Sequence, residues 1–392
     1  MSFSRHSIET LVEDERGRGF PAVLKYGPYL FVSGSDGHRD INSEKINLDI
    51  AGDAIAQCRN AYGRIAKRLE KAGYGGDCAV WIQNFTSGQH WRLERMALWP
   101  EYFGEVGHGQ AVSFGAQTKL NGINMITASV LAVTPDIQRV VGVKQPTRGR
   151  ASRITRVGDL IFVIGVRGHE DPLNTANHAP EETDDSFDIQ LEYCFGWLKS
   201  HLSKLNAPID RLVRVDTCLR DADSYSRYIS GAEKFFDGRM PFANYAVGTL
   251  LGARLEQEVG GVAAAPGVPT EIKWLANNPK RAEATKAGGL VFASSCSGLL
   301  DAPGGSICRE LYGDLGGQTR QSLANVEKSI GRFSVGLDRL LRLDVFVRNI
   351  YAEDRVIGMI KDVLEARMPT LNVIGTEPAQ GADIEIVAIA GA

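Results

Sequence analysis

Apolar and polar positions along this chain follow a pattern that runs three times. A turn glycine opens each round, and an apolar strand ending at small residues follows: Gly27-Pro-Tyr-Leu-Phe-Val-Ser33-Gly34, Gly158-Asp-Leu-Ile-Phe-Val-Ile164-Gly165 and Gly288-Gly-Leu-Val-Phe-Ala-Ser294-Ser295. The leading glycines stand 131 and 130 residues apart. After a polar Gly/Asp/His loop, amphipathic helices are predicted over 48–72, 187–205 and 315–333. In the third, Leu323, Val326, Ile330 and Phe333 share one helical face. Strands follow over 79–85, 212–219 and 341–347, and the alternation in the last implies one wet and one dry face at its start. Second helices are predicted over 91–103, 223–236 and 352–367; the latter two stop before Pro241 and Pro369, since the residue ahead of a proline is driven out of helical geometry. Each round closes with two strands, at 111–117 and 123–133, 243–251 and 256–264, and 371–375 and 382–390. Proline and charge mark the boundaries near 134–145 and 266–279, dividing the chain into 1–138, 139–270 and 271–392.

Composition narrows the class of protein. The 392 residues carry a net charge of −3 with 43 % hydrophobic and 23 % charged side chains, which excludes disorder. Without a basic cluster there is no general electrostatic grip on nucleic acid or an anionic membrane. No apolar run approaches the roughly 20 residues of a membrane span, and the start lacks the apolar stretch of a secretory signal, so a cytoplasmic location is expected. The six cysteines form no CxxC pair and no zinc-site spacing. HExxH, GxGxxG and GxxxxGK[ST] are also missing, so neither metal nor organic cofactor is expected.

The third round carries Leu290-Val-Phe-Ala-Ser294, Gln318-Thr-Arg-Gln-Ser-Leu-Ala-Asn325, Leu343-Asp-Val-Phe-Val-Arg-Asn349, Arg367-Met-Pro369 and Ile384-Glu-Ile-Val-Ala-Ile-Ala390. The second matches through 158–165, Val215-Asp-Thr-Cys-Leu-Arg-Asp221 and Met240-Pro241; the first diverges most. These strings resemble the RidA/YjgF superfamily, the reactive-intermediate deaminases, over nearly the whole chain except a polar extension at 1–17. The resemblance implies an α+β fold of three tandem RidA-like (chorismate-mutase-like) units. Their sheets would face inward around a pseudo-threefold barrel core with helices outside, as a monomeric pseudo-trimer or a dimer of it. It also implies small-molecule clefts between units and hydrolysis of imines or enamines.

Family resemblance further implies an arginine two residues after the proline, to pair with a substrate carboxylate. Ala243 and Leu371 stand there, and Ala111 lies nearest in the first unit, so simple 2-imino acids are not expected as substrates. The family glutamate of the last strand matches Glu258 and Glu385, with Thr127 in the first unit; such a carboxylate orients a water and moves its proton, or is simply a paired strand residue. The family's Ser-Gly, where backbone approaches ligand, matches Ser33-Gly34, Gly165 and Ser294-Ser295. Cys296 beside it is a nucleophile or an inert small hydrophobe. Gly37-His38 and Gly168-His169 recur 131 apart, giving His38 and His169 as acid/base or turn-capping groups; Arg39 and Arg167 are candidate replacement anchors. Asn244 and Asn372, each three past its proline, are candidate donors to a carbonyl. Chorismatase-like chemistry, cyclic-amide hydrolysis and a non-catalytic ligand-binding pseudo-trimer are the alternatives, because fold does not choose among them.

Overall fold

The computed structural model describes residues 6–392 apart from 89, 105–111, 145–151, 169–185, 252–254 and 366. Three mixed sheets with one strand order account for the threefold pattern. In the first, Ile8–Glu13, Pro21–Tyr26, Tyr29–Asp36, Ile126–Val133, Ala79–Thr86 and Val112–Gln117 lie side by side in that order. The second runs Arg139–Lys144, Ser152–Val157, Leu160–Arg167, Gln257–Ala264, Leu212–Leu219 and Ala243–Gly248. The third runs Thr270–Trp274, Ala282–Ala287, Leu290–Ala293, Ile384–Gly391, Leu340–Val347 and Thr370–Gly375, with Cys296–Ser297 also on Ile384–Gly391. The last two strands of each order are parallel, and a helical crossover joins them.

Helices Ala54–Lys71, Phe187–Ser203 and Leu315–Gly331 pack on these sheets, with Leu323, Val326 and Ile330 buried as their spacing predicts. Hairpin glycines Gly27, Gly158 and Gly288 have φ of 53°, 54° and 56°, a region open to glycine without a Cβ penalty. Gly37, Gly168 and Gly298 recur for another reason. A Cβ there would meet the carbonyl oxygens of Gln57, Gln190 and Gln318 at 2.6, 2.1 and 2.5 Å, so the loop can pass under the first helix only as glycine. The recurrent Gly-His is therefore a requirement for the glycine.

Four expectations need correction. The segment 1–17 is not merely an extension, because Ile8–Glu13 is the edge strand of the first sheet. The boundary segments likewise contain edge strands, Arg139–Lys144 and Thr270–Trp274. The helix expected over 91–103 is two, Arg92–Ala97 and Trp99–Phe103, divided where Pro100 has no N–H to donate back. Finally, the polar face of 341–347 is not wet: Arg342 and Asp344 are 2 % and 1 % exposed.

That last correction shows how the repeats meet. Positions three, five and seven of the central strands are Trp81, Gln83 and Phe85; Arg214, Asp216 and Cys218; and Arg342, Asp344 and Phe346. Arg214 donates to Asp216 at 2.6 Å and, across repeats, to Asp344 at 3.1 Å. Arg342 donates to Asp344 at 2.6 Å and to Ser129 and Gln83 of the first repeat. Trp81 lies against both guanidinium groups, 5.3 and 5.9 Å from its ring. Beside this polar layer, Phe85, Cys218, Tyr245 and Phe346 form an apolar one.

Contacts between sheets run in a ring. Val112–Gln117 packs against Leu160–Arg167, Ala243–Gly248 against Ala282–Ala287, and Thr370–Gly375 against Tyr29–Asp36. Two serines fasten the ring in the same way. Ser33 Oγ donates to Pro21 O at 2.7 Å and accepts from Leu371 N at 3.0 Å; Ser294 Oγ donates to Ala282 O at 2.8 Å and accepts from Asn244 N at 3.2 Å. The corresponding Ile164 has no hydroxyl to do so.

Candidate functional site

The three junctions between repeats differ. Where the third meets the first, charge fills the space and only about 10 Å³ remains. Thr127 takes the place of the strand glutamate and donates to Asp36 at 2.9 Å. Arg16 approaches Asp36 at 3.6 Å, Arg39 approaches it at 3.9 Å, and Arg18 pairs with Glu353 at 2.8 Å. Burial opposes charge on Asp36, but the nearby His38 and the Arg64 and Arg18 guanidinium groups hold its carboxyl below the usual range. Asn372 donates to Asp344 at 3.4 Å, and its Oδ1 would lie 2.8 Å from a Cβ on Gly34. Ser33, Gly34, Asn372, Arg39 and His38 thus belong to packing or to this charge network, with His38 buried and its pKa pushed down chiefly by burial.

At the junction of the first and second repeats, Glu258 is buried on Gln257–Ala264, opposite Arg167 on one side and Cys218 on the other. Gly165 lies in the adjoining strand. His169 and the side chain of Arg167 fall outside the described residues.

Where the second repeat meets the third, a cavity of about 140 Å³ stays open. Glu385 is 4 % exposed at its wall, on Ile384–Gly391. One carboxylate oxygen accepts from Ser295 Oγ and the other from Ala379 N at 3.4 Å. Those donors favour the ionised form, but burial outweighs them and pushes the pKa up to about 7.

Across the cavity stand Asn244 and Tyr225 of the second repeat. The Asn244 backbone is fixed at both ends, its N–H on Ser294 Oγ and its carbonyl accepting from Ser295 N at 2.8 Å. Its side-chain amide, on a residue 8 % exposed, has no hydrogen-bond partner among the described residues. The Tyr225 hydroxyl is pushed up to about 12 by burial and by Glu385, so it stays a neutral donor.

Charge at the wall is mixed. Arg281 contributes a guanidinium that pairs with Glu233 at 2.9 Å, and Glu283 a carboxylate pairing with Arg332 at 2.8 Å. Cys296, by contrast, packs in the apolar core of the third repeat. Burial pushes its thiol up to about 12, so it carries no thiolate near neutrality. Of the residues singled out from sequence, the cavity gathers Glu385, Ser294, Ser295 and Asn244. Tyr225 and Arg281 carry no local motif; their only signal is position, on a helix and a hairpin that the ring of contacts brings to the same wall.

No family model and no curated protein matches the chain. Among solved structures, a chorismatase matches over 80 % of this chain and 93 % of its own, at TM-score 0.55 and 16 % identity. Yeast Mmf1 is 20 % identical, covering 33 % of this chain and 99 % of its own at TM-score 0.27. Rv2704 of Mycobacterium tuberculosis, a member of the YjgF/YER057c/UK114 family, is 19 % identical, covering 32 % of this chain and all of its own at TM-score 0.27. The chain shares the fold of chorismatase over four-fifths of its length, and each of the two smaller proteins is similar to about a third of it.

Proposed function

We propose that the cavity between the second and third repeats is the active site of a small-molecule hydrolase acting on an imine, enamine or related C–N compound. In this reading the repeats sit about a pseudo-threefold axis, and the ring of contacts between sheets supports that arrangement. The observation that carries the proposal is the convergence of a buried carboxyl, a serine hydroxyl and a side-chain amide on one polar cavity.

With its pKa near 7, Glu385 is divided between its two forms at neutral pH, which suits one group to both halves of the reaction. As the acid it protonates the imine nitrogen. As the base it takes a proton from water while the oxygen adds to carbon. The same proton then goes to the leaving nitrogen, and as the C–N bond breaks the hydroxyl proton returns to Glu385, so that C=NH and water become C=O and ammonia. Ser295 and Ala379 hold the carboxyl in one orientation, and the Asn244 amide and Tyr225 hydroxyl are placed to bind the substrate's polar groups.

The wall chemistry limits the substrate. Among the described residues, its two carboxyl groups and one already paired guanidinium offer no free cation for a carboxylate, so uncharged imines and enamines are favoured over 2-imino acids. The same feature weighs against a dicarboxylate, and hence against chorismatase-like chemistry, although the shared fold keeps a chorismatase-like hydrolase or lyase as the second reading. The test is ammonia release from imines without a carboxylate and from 2-iminobutyrate, in the parent and in Glu385→Gln. Turnover of the uncharged substrates should fall about 10²–10⁴-fold in the variant. Brisk hydrolysis of 2-iminobutyrate, undiminished by the substitution, would overturn both the site and the substrate class.

A further inference from the structure

A second and larger cavity, of about 750 Å³, lies where the hairpins of all three repeats converge. Gly158-Asp159, Gly288-Gly289 and Pro28-Tyr29 reach it from the second, third and first sheets. It is separate from the Glu385 cavity, with no lining residue in common. Its volume falls in the range of small-molecule sites, roughly 300–1,000 Å³.

The lining combines an apolar body with a few polar groups. Tyr26, Val157, Val268, Phe333 and Val335 supply the apolar surface. Tyr29 is 4 % exposed at the wall, and burial and the nearby Asp159 push the pKa of its hydroxyl up, so it stays neutral.

Asp159 and Lys286 also line the space, and among the described residues neither is held in an ion pair. Glu271, the cross-strand neighbour of Lys286, is instead taken by Lys273 at 2.6 Å. One free carboxylate and one free ammonium therefore face a common apolar cavity. Asp159 adjoins the hairpin that carries Lys286, its Cβ lying 3.1 Å from the position of a Cβ on Gly288, two residues past Lys286.

We propose that this cavity is a second ligand site, for a small zwitterion with an apolar body, the chemistry of a free aromatic α-amino acid. Asp159 and the Tyr29 hydroxyl receive its ammonium, Lys286 receives its carboxylate, and the ring lies among Val157, Phe333 and Val335. The site stands independently of any reaction at Glu385.

The experiment titrates L-phenylalanine, phenethylamine and 3-phenylpropionate into the full chain by calorimetry or ligand-observed NMR. L-Phenylalanine should bind saturably in the millimolar range or tighter, and more tightly than either singly charged analogue. Asp159→Asn should weaken L-phenylalanine and phenethylamine about tenfold while sparing 3-phenylpropionate. Lys286→Gln should weaken the two carboxylates and spare the amine, and Glu385→Gln should change none of the three. An absence of saturable L-phenylalanine binding would overturn the proposal. So would binding that Glu385→Gln abolishes and the Asp159 and Lys286 substitutions leave intact.

Discussion

Replacing Glu385 with glutamine should make the protein more stable at alkaline pH and leave it unchanged at acid pH. The carboxyl sits at about 7 in the folded chain against an ordinary 4.5, because burial penalises its charge more than Ser295 and Ala379 compensate. Below 4.5 both folded and unfolded states hold the proton and the site is neutral in both. Between 4.5 and about 7 folding takes up a proton, so stability falls as pH rises. Above that window the folded chain carries a buried carboxylate, at a cost on the order of 3 kcal/mol. Glutamine keeps the size and both hydrogen bonds, its carbonyl accepting from Ala379 N and its amide donating to Ser295 Oγ, while removing the charge. Urea unfolding of parent and variant at about pH 4.5 and about pH 8.5 isolates the effect, since every other titrating group is common to both. The variant should gain up to about 3 kcal/mol at the higher pH and almost nothing at the lower. A gain equal at both values, or no gain at the higher one, would refute the assignment of the elevated pKa to this carboxyl. Stabilisation together with lost turnover is the pairing expected of a group kept for its chemistry.

Three further outcomes follow from the contacts between repeats. Asp344→Ala should cost roughly 3–5 kcal/mol in denaturant unfolding, because it strips the buried Arg342 and Arg214 of the carboxylate they share. Ser33→Ala should cost about 1–3 kcal/mol by leaving Leu371 N–H unbonded, yet leave turnover at the Glu385 cavity unchanged, which paired stability and activity measurements can separate. Lys119→Ala should alter stability by less than about 1 kcal/mol, since its 3.4 Å pair with Glu377 is exposed at 59 % and 52 %.

Periodicity in the sequence was enough to find most strands and helices, because the side chains that report it are fixed by local geometry. The span 212–219 is predicted and found as Leu212–Leu219. Edge strands were missed where one face is solvated: Ile8–Glu13 buries none of its residues fully, so its sequence reads as polar. The alternation of Arg342 and Asp344 implies a wet face only because alternation reports that two faces differ, not what covers them. Their cover is Arg214 and Trp81, which lie more than a hundred residues earlier. The site divides along the same line. Glu385 and Asn244 stand at fixed offsets from a strand end and a proline, whereas Tyr225 and Arg281 join them only through packing between repeats.

Joining three repeats in one chain lets each junction take a different side-chain set, and the buried polar layer shows the consequence. Two repeats carry Arg-x-Asp on the central strand and the first carries Trp-x-Gln. Three copies of Arg-x-Asp would bring three guanidinium groups and three carboxylates into one buried layer, each pair bearing its own desolvation penalty. Substituting Trp81 and Gln83 in one copy removes a pair while still serving the other two. The indole covers both guanidinium groups, and the amide oxygen accepts from Arg342. The repeats are then no longer interchangeable, because each arginine has one neighbour that fits it. That same loss of equivalence allows the junction of the third and first repeats to close over Asp36 and Glu353 while that of the second and third keeps its space around Glu385.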